Sequence, residues 1–169
     1  MKKLLGKKGF HHDTSEGSPI CRWVYRGLKV DFMASDESVF GFTNKWYREG
    51  IERVILISST LPVVRIFSLP YFLGTKIEAF KNRGKNDYQA SPDMEDIISV
   101  LEVSPTKMWK EGLLNSTPEL HAYLKTELSE LMSNSIFLDA LPGAIFNRES
   151  RNEAVHSVLA RMEQIMSTS

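Results

Sequence analysis

Apolar residues in this chain change their spacing near Pro70, and that change limits the folds open to it. Upstream, short runs alternate apolar and polar residues, the period of a half-buried strand. Ile20, Arg22 and Val24 alternate with Cys21, Trp23 and Tyr25. Arg26-Gly27 supplies a turn, and Leu28 to Met33 alternates again, so residues 20–33 read as a hairpin. A short helix over Lys45–Glu52 comes next. Arg53–Ser58 and Val63–Phe67 then read as strands joined through Ser-Thr-Leu-Pro. Downstream, Tyr71, Phe72, Thr75, Lys76, Ala79 and Phe80 follow helical spacing behind Pro70, which sits where a first helical turn tolerates proline. That helix ends by Gly84. Met94, Ile97, Ile98 and Leu101 form one stripe of a helix over Asp93–Glu102. Leu120, Leu124, Leu128 and Leu131 form another, capped by Thr117 or Ser116 and running to about Met132. Leu138-Asp-Ala-Leu-Pro-Gly reads as a stop, and Asn147 or Ser150 as the start of a last helix to about Ile165. Met1–Lys8 reads as a short helix closed by Gly9, and residues 11–19 as a loop. The expectation is an α+β fold, strand-rich to about residue 68 and helical beyond.

Composition excludes several classes. At 169 residues the chain is long enough to bury a core without staples. Lys+Arg and Asp+Glu both number 21, and a balanced charge argues against wholesale phosphate binding while leaving room for a local basic patch. With 42% hydrophobic and 25% charged residues, collagen, a disulfide scaffold and wholesale disorder are ruled out. The single cysteine, Cys21, allows no intramolecular disulfide, zinc knuckle or C-x-x-C site. It reads as a small apolar strand residue in a reducing compartment, so a cytoplasmic location is expected. Lys2-Lys3-Leu4-Leu5 begins like a signal peptide, but no apolar core follows it, and no window approaches a membrane span.

Two groups of residues could carry chemistry. Asp31 lies inside a strand, where aspartate is depleted. It is either a group held on a rigid element for metal binding or an edge-strand carboxylate facing water. Lys76, Phe80 and Arg83 share one helical face, and Asp93 and Asp96 share a face of the next helix. Two cations on one helix and two acids on the next could clamp a triphosphate or simply pair with each other. His11 and His12 are adjacent and face opposite ways, which is poor spacing for a metal.

The segments DTSEGSPICRW, LKVDFM, GFTNKWY and LPYFLGTKIEAFKNRGKNDYQASPDMEDIISVLE, in that order, resemble bacterial nucleotidyltransferase-like proteins related to the AbiEii/AbiGii toxins, within the polymerase-β-like superfold. The resemblance covers about residues 8–103. It implies a partial nucleotidyltransferase core over 1–103, a small mixed sheet with helices, followed by a helical region over 104–169. The implied activity is Mg²⁺-dependent transfer of a nucleotidyl group from an NTP to an RNA or protein acceptor. Asp31 then looks like the third carboxylate of the metal triad. Lys76 looks like the lysine that meets nucleotide phosphates, with Arg83 assisting, and Asp93 and Asp96 match a later catalytic acidic motif.

One departure weighs on that activity. The family's Gly-Ser turn and its strand with two carboxylates one residue apart lie upstream of the segment that begins here. Gly17-Ser18 does not replace them, because Lys29 and Met33 flank Asp31 at the paired positions. One aspartate cannot hold two Mg²⁺. The expectation is an N-terminally truncated chain, inactive in isolation, whose partner is a missing N-terminal chain or an antitoxin. The alternative is a non-catalytic nucleotide- or protein-binding module.

Overall fold

Arg26 and Gly27 adopt φ angles of 49° and 81°. Two successive left-handed residues are what a two-residue hairpin loop needs to match the twist of its strands. They join β2 (Arg22–Tyr25) to β3 (Leu28–Asp31), pairing Tyr25 with Leu28 and Arg22 with Asp31. On the other side of β2 lies β1 (His11–His12), with His12 opposite Trp23. The expected loop over residues 11–19 therefore begins only after His12. The reason is tertiary: the open edge of β2 takes up two residues of no particular strand propensity. The His12 ring also packs edge-on against Trp23 and bonds the Ile20 carbonyl at 2.8 Å. Phe10 stacks on Tyr25 with ring centroids 4.7 Å apart. Ahead of the sheet, α1 (Lys2–Lys7) is closed by Gly9 at φ 85°.

This computed structural model describes residues 2–39, 41, 43–57, 63–146 and 149–168. It divides into two compact units, Met1–Thr43 and Asn44–Ser169. The fold is α+β, and its strands form two antiparallel sheets, of three and two strands, among the described residues.

The second unit opens with α2 (Tyr47–Glu52) and the antiparallel pair β4 (Val54–Ile57) and β5 (Val64–Phe67). The expected Ser-Thr-Leu-Pro connection lies outside the described residues. Among the described residues six helices follow: α3 (Leu69–Arg83), α4 (Pro92–Val103), α5 (Thr106–Leu114), α6 (Pro118–Met132), α7 (Ser135–Ala144) and α8 (Arg151–Ser167). Pro70, Pro92 and Pro118 occupy first turns, where a missing N–H costs nothing. Thr117 caps α6, and Asn134 caps α7 by accepting from the Ile136 and Phe137 amides.

The leucine stripe of α6 and the Met94–Leu101 stripe of α4 are buried, as helical spacing requires. Both pack against α8, whose Val158 and Met162 are also buried. The division expected at 103/104 thus falls between α4 and α5 inside one packed unit, because the apolar face of α4 is covered by the last helix.

The expected stop at Leu138-Asp-Ala-Leu-Pro-Gly is instead the body of α7, with Pro142 inside the helix. A proline in the closing turn forfeits one backbone bond, while Phe137, Ala140 and Leu141 bury their side chains there. The helix then ends two residues later. Ser150 precedes α8, and the other proposed start, Asn147, lies outside the described residues. No described helix is long and apolar enough to cross a membrane.

Candidate functional site: an ion-pair cluster on two helices

Asp93 sits in the first turn of α4 and is only 3% exposed. A carboxylate that deep must be paired to stay charged. Its Oδ2 accepts from Arg83 Nε at 2.7 Å, and its Oδ1 from Arg83 Nη2 at 2.8 Å, the bidentate geometry a guanidinium favours. Lys76 Nζ adds a longer contact to Oδ1 at 3.3 Å and also pairs with Asp96. The Arg83 hydrogen bonds hold the Asp93 carboxyl below the ordinary carboxylate range, against the opposing effect of burial.

The sequence brings these groups together by spacing. Lys76 and Arg83 are seven residues apart on α3, with Phe80 buried between them. The Gly84–Ser91 connection turns the chain back through Lys85 and Asn86, at φ 50° and 59°. Asp87 steadies that turn by accepting from the Gln89 and Ala90 amides at 3.1 and 2.9 Å. All four predicted residues of the helix pair therefore meet in one network. A cleft of about 450 Å³ opens beside it, lined by Arg83, Gly84, Lys85, Asp87, Ser91 and Asp93 among others. Two cations face two carboxylates, so the network carries no net charge of its own.

Asp31 belongs to the other unit. It ends the edge strand β3, where both its oxygens accept from Arg22 at 2.8 Å across the β2–β3 pair. As arranged it fits Mg²⁺ poorly, because a metal would have to displace the guanidinium from both oxygens. Among the described residues no group of three His, Cys, Asp or Glu side chains converges.

A second polar network was not singled out from the sequence. Tyr123 Oη donates to Glu78 Oε1 at 2.6 Å, and Lys45 Nζ reaches the same oxygen at 2.9 Å while lying 3.8 Å from the Tyr123 ring centroid. Lys81 pairs with the buried Glu127. Burial pushes the Tyr123 phenol far above its ordinary pKa, and the Glu78 carboxylate adds to the rise. Burial also pushes Glu78 up, but the hydrogen bonds from Tyr123 and Lys45 outweigh it and leave that carboxyl lowered. The signal was present in the helical spacing of Glu78 with Lys81 and of Tyr123 with Glu127.

No protein-family model, curated protein or solved structure matches this chain.

Proposed function

We propose that this chain is a nucleotidyltransferase-like module that binds nucleotide phosphates at the α3–α4 cluster. The observation that carries the reading is the state of Arg83. Its side chain is 70% exposed, yet its guanidinium is gripped by a nearly buried carboxylate and lines an open cleft with Lys85. Asp93 engages the guanidinium at Nε and Nη2, which fixes its plane at the mouth of the cleft while its charge stays accessible to a phosphate.

Asp93 is then a positioning residue. Asp96, with its side chain 47% exposed, is the partner that a phosphate displaces from Lys76. That exchange costs an existing ion pair, so affinity for an NTP falls in the millimolar to sub-millimolar range. Mg²⁺-dependent transfer to an RNA or protein acceptor is the activity the resemblance implies. With Asp31 engaged by Arg22, the proposal is nucleotide binding rather than transfer by this chain alone, in the cytosolic setting that its lone cysteine fits.

Isothermal titration with each NTP and MgCl₂ tests this reading. Saturable binding is expected, weakened about tenfold by Lys76→Met or Arg83→Gln, the value of one charge-assisted contact. A folded wild-type chain that gives no heat at millimolar NTP overturns it. The second reading, a protein-binding module, is favoured by the β4–β5 pair, which exposes Leu56, Ile57 and Val64. It predicts no NTP binding and self-association or partner capture lost on Leu56→Lys.

A further inference from the structure

Where α3, α4 and α6 meet, their side chains leave a cavity of about 170 Å³. It shares no lining residue with the cleft beside Asp93. Its floor is apolar: Ile77, Phe80, Met94, Ile97 and Leu131 line it, and all five are buried. These residues belong to the inward faces of their helices, so the space is a gap in the core. It reaches the surface at a polar rim, where Lys81, Asn86 and Glu130 are exposed.

Size limits the ligand first. An apolar cavity of about 150 Å³ is large enough to admit one benzene ring. Part of the wall is itself aromatic. The Tyr88 and Phe80 ring centroids lie 5.1 Å apart with the rings tilted by 46°, and a guest ring gains edge or offset contacts against such a pair.

The rim sets the chemistry. Glu127 is 8% exposed, and Lys81 bonds its Oε1 and balances its charge. A carboxylate offers about four acceptor sites, so a neutral donor suits Glu127 and a ligand here brings no charge of its own. Asn134 Nδ2 donates to Tyr88 Oη at 3.1 Å, while Asn134 Oδ1 caps α7. That bond uses the phenol oxygen as an acceptor and leaves the Tyr88 O–H to donate. A hydroxyl answers both kinds of group, because it accepts as well as donates. An anion is disfavoured, since Glu127 and Glu130 both line the cavity.

We infer that this cavity binds a small neutral aromatic alcohol of phenol size, its ring on the Phe80, Met94 and Ile97 side chains and its hydroxyl at the Tyr88 and Glu127 rim. The inference is independent of nucleotide binding at the α3–α4 cluster.

The test is a titration of the full-length chain, labelled with ¹⁵N and with ¹³C at the methionine methyls, with phenol, toluene and benzoate. The Met94 methyl and the Tyr88 and Asn134 amides report on the cavity. Phenol is expected to shift them saturably, with a Kd near the millimolar range typical of so small a ligand. Toluene is expected to bind about fivefold more weakly, the value of one neutral hydrogen bond, and benzoate about tenfold more weakly. Tyr88→Phe keeps the ring and removes the donor, so it should weaken phenol about fivefold and leave toluene unchanged. Leu131→Phe, where the spectrum stays folded, fills the space and should abolish binding of both. No saturable shift of the Met94 methyl at tens of millimolar phenol, benzoate binding as tightly as phenol, or a phenol affinity that Tyr88→Phe leaves undiminished would overturn the inference.

Discussion

Replacing Asp93 by asparagine tests the central element of the α3–α4 cluster. The substitution keeps shape and an acceptor but removes the charge. Three contacts are affected: two from Arg83 and the longer one from Lys76. Loss of a charged partner in a buried site costs about 1.5–3 kcal/mol when the other group cannot be resolvated. Arg83 is largely exposed and regains water, which brings its share toward the surface ion-pair value of about 0.5 kcal/mol. Lys76 is less accessible but retains Asp96. Losing a carboxylate from the first turn of α4 adds about 0.5 kcal/mol through the helix dipole. Together these give about 1 kcal/mol, or roughly 2–4 °C in Tm for a chain of this length.

Urea unfolding followed by circular dichroism measures the difference. Because folding lowers the Asp93 pKa, the native state holds that proton less tightly than the unfolded chain. The stabilisation is complete above the unfolded value, about 3.9, and is lost as pH falls through the lower folded value. The gap between wild type and Asp93→Asn should therefore close on acidification below about pH 4. A gap under about 0.5 kcal/mol at pH 7, or one that does not narrow as pH falls below about 4, would refute the reasoning.

Two other substitutions probe the packing that places the cluster. Gly74→Ala puts a Cβ 2.9 Å from Leu120 Cδ1 and 3.1 Å from Trp46 Cδ1, so a destabilisation of about 1–3 kcal/mol is expected in thermal unfolding, and a neutral result would show that α3 and α6 can separate freely. Asn134→Ala removes a cap that serves two amides of α7, with an expected loss of about 1–2 kcal/mol and faster hydrogen exchange at Ile136 and Phe137; unchanged exchange would sink the capping argument.

Helices were legible in this sequence because period and punctuation agreed. Pro70 and Pro92 stand in first turns, Thr117 caps α6, and the four leucines of α6 are all buried. The pairing of Lys76 and Arg83 with Asp93 and Asp96 was readable as one of two outcomes, since spacing places groups on faces and says nothing of what those faces meet. Asp31 was readable as a strand carboxylate, but its partner Arg22 follows only from the hairpin register. Pro142 misled because proline marks a helix end only when burial does not carry the helix through it. The Glu78–Tyr123 network escaped because it spans 45 residues, and spacing along one helix says nothing of what a distant helix brings to it.

Synthesis order gives the packing of α8 a further meaning. Arg161 returns to the Ser104 carbonyl across 57 residues, and the side chains that complete the cover of α4, already packed against α3, arrive with it. At about 5–20 residues per second, the ribosome needs roughly 3–11 s to make that stretch. For that interval the Met94, Ile97, Ile98 and Leu101 stripe lacks the part of its cover that α8 supplies, although these are among the most deeply buried side chains in the finished fold. The nascent chain therefore passes through a stage in which the apolar face of α4 is only partly covered, by α3 and not yet by α8.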